Sequence, residues 1–233
     1  CIKTNIYGAE NIIHASIENN VKQIMALSTD KAANPVNLYG ATKLCSDKLF
    51  VNANYLVGDK DIKFAVVRYG NVVGSRGSVL PYFKSLLEKN VKSLPVTDER
   101  MTRFWLTLDH GVKFVLSSIE MMRGGELFVP KTPSINIIDL VKALDKNVKF
   151  HIVGIRPGEK LHEVLCPEDS NRDTIEFKKY YLIRPSIDFS RGKTSNYLIN
   201  KNKEKGKIVK SNFVYSSDKN PHFLSVQEIK QIV

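Results

Sequence analysis

Leu27-Ser-Thr-Asp-Lys-Ala-Ala-Asn-Pro-Val-Asn-Leu-Tyr-Gly-Ala-Thr-Lys43 begins inside a short apolar run that starts at Lys22 and ends in the hydroxyls of Ser28 and Thr29. A run of that length and content reads as a buried strand. Asn34-Pro35 then breaks the chain, and a helical pattern follows over about 38–53. The same alternation extends in both directions. A helix over 1–19 precedes the strand. Downstream come a strand at 62–69, a glycine-rich loop at 70–77, helices near 80–88 and 108–122, a strand at 127–129, a helix near 135–144 and a strand near 150–153. Helix and strand in turn, with nearly continuous apolar strands, predict an α/β fold: a doubly wound parallel sheet covered on both faces. Beyond Pro167 the pattern weakens into mixed strand and loop, with no repeat or low-complexity tract.

The chain has 233 residues, enough for one large domain or two small ones. Its 42% hydrophobic and 25% charged residues suit a soluble protein with a proper core and exclude disorder or a collagen-like chain. No apolar run approaches the ~20 residues of a membrane span, and residues 1–10 lack the pattern of a signal peptide. The expectation is a cytoplasmic protein without membrane association. Cys1, Cys45 and Cys166 are odd in number and far apart, so neither a disulfide framework nor a zinc site is encoded. His162 has no second His or Cys at ligand spacing, and no metal is expected.

Lys and Arg number 35 against 24 Asp and Glu, a formal net charge of +11. Residues 131–233 carry the larger share of that excess, and seven basic residues fall between Arg191 and Lys210. That stretch is polar and poor in aromatics, which reads as a solvated surface segment; no nucleic-acid partner is expected.

The chemistry-bearing residues gather at predicted strand ends. Tyr39 and Lys43, four apart at the start of a helix, share one face beside the end of the strand that carries Thr29. A nearby ammonium favours the phenolate and makes Tyr39 a usable base toward a sugar hydroxyl. Y-x-x-x-K recurs at Tyr197–Lys201 and Tyr215–Lys219, so the pair alone is uninformative; its place after the strand singles out the first. Asp30 and Lys31 sit where that strand ends, at the usual lip of a ligand crevice. They could protonate a leaving hydroxyl and remove a carbon-bound proton, provided Asp30 holds a proton and Lys31 lacks one. Asn71-Val-Val-Gly-Ser-Arg-Gly-Ser78 follows a second strand and offers glycines and free amides to an anion. Arg156 in Arg-Pro-Gly-Glu-Lys160 and Arg103 in Met-Thr-Arg-Phe-Trp105 could each fork onto a pyrophosphate or pair with an acid. Glu159 could accept from a ribose hydroxyl or cap a helix running through His162 and Val164. Trp105 reads as core. No G-x-G-x-x-G turn occurs, so either no dinucleotide is bound or its loop lies upstream of Cys1.

Together, Ser28-Thr-Asp-Lys31, Tyr39-x-x-x-Lys43, Arg68-Tyr-Gly-Asn-Val-Val-Gly-Ser-Arg-Gly-Ser78 and Arg156-Pro-Gly-Glu-Lys-Leu-His-Glu163 resemble the extended short-chain dehydrogenase/reductases. More closely they resemble the bacterial inverting UDP-N-acetylglucosamine 4,6-dehydratases, which open pseudaminic acid biosynthesis for flagellin glycosylation. The resemblance runs from Cys1 to about Tyr215. Retaining relatives typically carry Met where this chain has Tyr39, so Tyr39 points to the inverting branch. The resemblance implies a Rossmann-like fold that lacks its N-terminal, glycine-rich part here, with poor solubility for such a piece. It implies an NADP-binding region over 1–130 with substrate-binding segments interleaved at about 71–107, and a smaller, mainly UDP-sugar-binding region over 131–233.

By residue, the resemblance implies that Tyr39 and Lys43 take the proton from the 4-hydroxyl and touch NADP, while Thr29 holds that oxygen. Lys31 would remove the proton on carbon 5 and Asp30 would protonate the departing 6-hydroxyl. Val72, Val73, Gly74, Ser75 and Arg76 would line the cofactor. Asn71, Thr97, Arg103, Arg156 and Glu159 would bind UDP-N-acetylglucosamine. Homo-oligomer formation is a further implication. The alternatives are a retaining UDP-sugar dehydratase, a 4-epimerase, or a UDP-sugar-binding chain without catalysis.

Overall fold

Phe64, Ala65, Val66 and Val67 are all 0% exposed, as consecutive strand residues must be when both faces of their sheet are covered. The computed structural model describes residues 1–187 and 196–233. Arg191 and Lys193, part of the basic stretch noted above, lie outside the described residues. In chain order the helices are α1 (Gly8–Glu18), entered through a π-helical turn Lys3–Tyr7, then α2 (Leu38–Asn52), α3 (Val79–Glu88), α4 (Leu108–Met121), α5 (Ile137–Leu144) and α6 (Val226–Ile232). The strands are β1 (Gln23–Thr29), β2 (Lys63–Tyr69), β3 (Asn71–Val72), β4 (Ser93–Val96), β5 (Thr102–Leu106), β6 (Leu127–Pro130), β7 (Ser134–Asn136), β8 (Lys149–Ile152), β9 (Val164–Cys166), β10 (Thr174–Glu176), β11 (Tyr180–Ile183), β12 (Lys207–Ile208) and β13 (Tyr215–Ser216).

Two compact units share the chain. The first comprises residues 1–69, 112–131 and 164–215, and the second residues 70–111, 132–163 and 216–233. The division drawn from the sequence near residue 130 follows expected binding roles. Compactness instead passes the chain between the units five times, once of them at 131/132, because strands distant in sequence pair within each unit.

The first unit is built on a sheet of order β1-β2-β6-β11-β10-β12. β1, β2 and β6 run parallel, giving the Rossmann-like core that the alternation predicts, and β11, β10 and β12 continue it in antiparallel pairs. The β1–β2 register is unbroken from Gln23↔Lys63 to Thr29↔Tyr69. Ala65, Val67, Phe114, Met122, Phe128, Ile175, Phe177 and Leu182 pack one core. Burying each of the larger of these side chains stabilises the unit by about 1.5–3 kcal/mol. Lys201 donates to the Glu120 carbonyl at 2.9 Å and Lys207 lies 3.2 Å from Glu176, so part of the basic stretch is tied to its own unit.

The second unit carries the three-stranded sheet β3-β5-β7 and the parallel pair β4–β8. Its core holds Leu80, Phe83, Leu94, Trp105, Ile135, Leu140 and Ile229. Asn136 caps α5 by accepting from the Ile138 amide at 2.8 Å, and Ser225 with Glu228 forms a capping box on α6. The helix expected through His162 and Val164 does not form. Residues 157–158 are a turn, 161–162 a bend, and β9 begins at Val164; the carboxylate of Glu159 is engaged by Arg103 at 3.4 Å. No helix among the described residues is long and apolar enough to cross a membrane.

Candidate active site

In the first unit the strand-to-helix turn after β1 is shaped by three local devices. Thr29 leaves the strand in extended conformation and its hydroxyl accepts from the Lys31 amide at 3.4 Å, starting a single 3-10 turn over Asp30–Ala32. Asn34 takes φ 47°, a left-handed value that asparagine tolerates. Asn37 then accepts from the Gly40 amide at 2.8 Å and starts α2. Tyr39 therefore falls in the first turn of the helix and Lys43 one turn later.

Five expected residues come together here. The Asp30 carboxyl is 1% exposed. Its Oδ1 accepts from the Thr29 hydroxyl and from Lys31 Nζ, both at 2.9 Å. The Lys31 side chain is 35% exposed and Tyr39 42% exposed, so the acid is hidden while the amine and the phenol are reachable. Lys43 Nζ donates to the Leu27 carbonyl at 2.7 Å, which pins the ammonium at the end of β1. Tyr69, the register partner of Thr29, is half-buried. Burial first, and the neighbouring Tyr39 phenol second, push its pKa above the usual 10.0. Sequence reading passed over Tyr69, although its place at the end of the strand beside β1 is a signal that could have raised it.

The second unit holds the remaining expected residues. Asn71 on β3 is the register partner of Trp105 on β5, so the two side chains share a face. Asn71 Oδ1 and Trp105 Nε1 are buried with no hydrogen-bond partner among the described residues. Buried polar atoms are normally paired, so the Asn71 acceptor and the Trp105 donor could each take a partner from a polar ligand. Val72 and Val73 lead into an exposed turn, Gly74-Ser-Arg-Gly77, in which both glycines take positive φ, 72° and 75°. A β-carbon at either glycine would meet nothing within 4 Å, so φ and not crowding calls for glycine there. Thr97 follows β4 and is half-buried.

Arg103 is 8% exposed. Its NH1 donates to the carbonyls of Thr102 at 2.7 Å and Leu161 at 3.0 Å, and its NH2 to the Lys160 carbonyl at 3.0 Å and Glu159 Oε1 at 3.4 Å. Nε lies 3.9 Å from Glu163 Oε1. In this arrangement the guanidinium braces the segment 156–163. Arg156, by contrast, is exposed, and its contact within the segment is through the backbone, with its amide 3.4 Å from Glu159 Oε2. Thr102 Oγ1 lies 2.8 Å from His162 Nδ1 and 2.7 Å from Ser217 Oγ, which gives His162 a structural partner. Among the described residues no cluster of three or more His, Cys, Asp or Glu could hold a metal ion.

A parallel sheet whose strand ends in Thr-Asp-Lys, followed by a helix that opens with Tyr and Lys one turn apart, defines the class of extended short-chain dehydrogenase/reductases. The chain belongs to the polysaccharide biosynthesis protein family, whose model matches residues 1–185. It is 58% identical over 233 residues to the UDP-N-acetylglucosamine 4,6-dehydratase (inverting) of Campylobacter jejuni subsp. jejuni serotype O:2, covering 100% of this chain and 70% of that protein. Among solved structures, Pen from Bacillus thuringiensis superposes with a TM-score of 0.84 at 33% identity, over 99% of this chain and 68% of that one. The dTDP-glucose 4,6-dehydratase of Bacillus anthracis, solved with NAD, shares the fold at a TM-score of 0.56 and 16% identity, over 66% of this chain and 57% of that one.

Proposed function

We propose that the chain carries the catalytic residues of an inverting UDP-N-acetylglucosamine 4,6-dehydratase dependent on NADP. The observation that carries this reading is the Asp30–Lys31 pair, joined at 2.9 Å at the end of β1 in the same unit as the reachable Tyr39. A reaction that only oxidises and reduces carbon 4 needs Tyr39, Lys43 and Thr29 alone. An acid and a base beside them serve an elimination. The exposed Gly74–Gly77 turn fits a nucleotide cofactor, and the buried Asn71 Oδ1 fits a donor of a polar sugar nucleotide.

Tyr39 and Lys43 would touch NADP, which supplies a hydride acceptor at carbon 4 and a hydride donor at carbon 6. Tyr39 takes the proton of the 4-hydroxyl, and Lys43, anchored on the Leu27 carbonyl, stands one helical turn further along. Thr29 holds the 4-oxygen. Lys31 then removes the proton on carbon 5, which the 4-ketone has acidified, while Asp30 protonates the leaving 6-hydroxyl. These two roles require a neutral amine and a neutral acid. Transfer of one proton along the 2.9 Å bond from Lys31 to Asp30 produces both. Asp30 is already dry, and a sugar seated over Lys31 would desolvate the partner. Return of a proton to carbon 5 from the opposite face gives the inverted 4-keto-6-deoxy sugar, a precursor of the pseudaminic acid type. Arg156 and Glu159 would bind the UDP portion.

The test is proton NMR of UDP-N-acetylglucosamine incubated with the chain and NADP in deuterium oxide. The expected product is a 4-keto-6-deoxy sugar with deuterium at an inverted carbon 5. A product retaining its 6-hydroxyl and epimerised at carbon 4 would replace this reading with that of a 4-epimerase.

A further inference from the structure

Beyond the residues that would meet substrate, three buried polar side chains join in the first unit. Ser28 and Arg68 are register partners across β1 and β2, so they stand on the same face of the sheet. Asp47 of α2 meets both at a single oxygen: Ser28 Oγ donates to Oδ2 at 2.7 Å and Arg68 NH2 donates to it at 2.9 Å. Arg68 NH1 donates to the Leu165 carbonyl of β9 at 3.2 Å. Ser28, Asp47 and Arg68 are buried.

A buried ion pair adds little stability over an apolar pair of the same size, because the cost of desolvation offsets the attraction. What it has that an apolar pair lacks is direction. α2 meets the carboxyl end of β1 and the turn after it at three successive turns. Gly40 lies on the Lys31 carbonyl, Lys43 on the Leu27 carbonyl, and Asp47 on Ser28. Asp47 is four residues beyond Lys43 and eight beyond Tyr39, on the same side of the helix. A helix that slips by one residue advances about 1.5 Å and turns about 100°, which would carry Tyr39 away from Thr29. Close packing at Gly40 limits how near the helix comes, but only hydrogen bonds of fixed direction set its register.

We infer that Asp47, Arg68 and Ser28 are positioning residues that fix α2 against β1 and so hold Tyr39 and Lys43 in place relative to Thr29, Asp30 and Lys31. This rests on the catalytic reading of those five residues. Single substitutions that strand a buried charge would unfold the unit for trivial reasons. The informative variant is therefore the double replacement Asp47→Leu with Arg68→Met, which removes both charges and keeps the volume. It is expected to melt within a few degrees of the parent while kcat falls at least tenfold and KM for UDP-N-acetylglucosamine changes less than about twofold, as displacement of a reacting group demands. A folded double variant with parental kcat overturns the inference. Should the double variant lose its cooperative melt, Ser28→Ala, which keeps the ion pair, replaces it: a several-fold loss of kcat at constant KM supports the role, and an unchanged kcat refutes it.

A second measurement is independent of turnover. In protein carrying 13Cζ-tyrosine, the Tyr39 resonance, identified by its loss in Tyr39→Phe, should move in the folded variant. An unmoved resonance refutes the positioning role. Failure of the parent to turn over UDP-N-acetylglucosamine would instead refute the catalytic reading, with the resonance still deciding the position of Tyr39.

Discussion

Gly40 rests so close to the carbonyl oxygen of Lys31 that a β-carbon at position 40 would collide with it and would sit 3.0 Å from Pro35 Cβ. Alanine in a helix interior normally gains up to about 1 kcal/mol over glycine. Overpacking against backbone costs about 1–3 kcal/mol and here has no flexible side chain to absorb it. The clash outweighs the propensity. Gly40→Ala is expected to lower the melting temperature by several degrees and to reduce turnover, because the helix can relieve the contact only by carrying Tyr39 and Lys43 away from Lys31. A variant that melts higher than the parent would show that the turn after β1 yields easily.

Arg103 holds the segment 156–163 through three hydrogen bonds, one from NH1 to the Leu161 carbonyl and two from NH2 to the Lys160 carbonyl and Glu159 Oε1. Lysine offers one compact ammonium and cannot span those acceptors as a planar fork does. Arg103→Lys is expected to cost about 1–3 kcal/mol for the hydrogen bonds lost from a buried cluster. If the segment presents Arg156 and Glu159 to the UDP portion, KM should rise several-fold while kcat moves less than twofold. The same variant should weaken binding of UDP alone, read by calorimetry. A kcat defect at unchanged KM would place Arg103 at the chemistry and not in the brace.

Tyr69 owes part of its raised pKa to the phenol of Tyr39. In Tyr39→Phe that contribution disappears and the Tyr69 phenol should titrate lower than in the parent. It should remain above 10.0, because burial is the larger cause. Ultraviolet difference titration of the two proteins checks this. Equal Tyr69 midpoints would show that the two phenols do not interact. Turnover should be lost in the same variant, since no other residue of the turn after β1 combines an exposed phenol with the Lys43 ammonium.

Much of this arrangement is legible in the chain itself, for identifiable reasons. The strands β1 and β2 are short apolar runs with hydroxyl or polar ends, and the helix after β1 opens with the capping Asn37; both signals are local. Tyr39 and Lys43 share a helix face by spacing alone. The strands β4, β5 and β7 escape such reading because they are short and their pairing is remote: Thr102 lies opposite Asn136 and Ser93 opposite Lys149. For the same reason Glu159 suggests the cap of a helix through His162 and Val164, whereas its carboxylate and the carbonyls of Lys160 and Leu161 accept from Arg103, more than fifty residues upstream. Asp47 and Arg68 are unremarkable as charged residues in sequence, and only the register Ser28↔Arg68 reveals why both are buried.

Cys166 offers a final check on how closed the first unit is around Arg68. Its thiol is fully buried on β9, next to Leu165, whose carbonyl accepts from Arg68. Burial drives its pKa up to about 12, and the Arg68 charge counters only part of that. The reactive species is the thiolate, so at pH 8 Cys166 is held as the unreactive thiol and is shielded from reagent as well. In the native chain, iodoacetamide at pH 8 should modify the exposed Cys1 and leave Cys166 unmodified in peptide maps, and Cys166 should react on denaturation. In the Asp47→Leu, Arg68→Met variant the neighbouring positive charge is gone, so the thiol pKa should rise further and the protection should persist. Labelling of Cys166 in the folded double variant would mean that β9 had opened, and that the Arg68 bond to Leu165 closes this part of the unit.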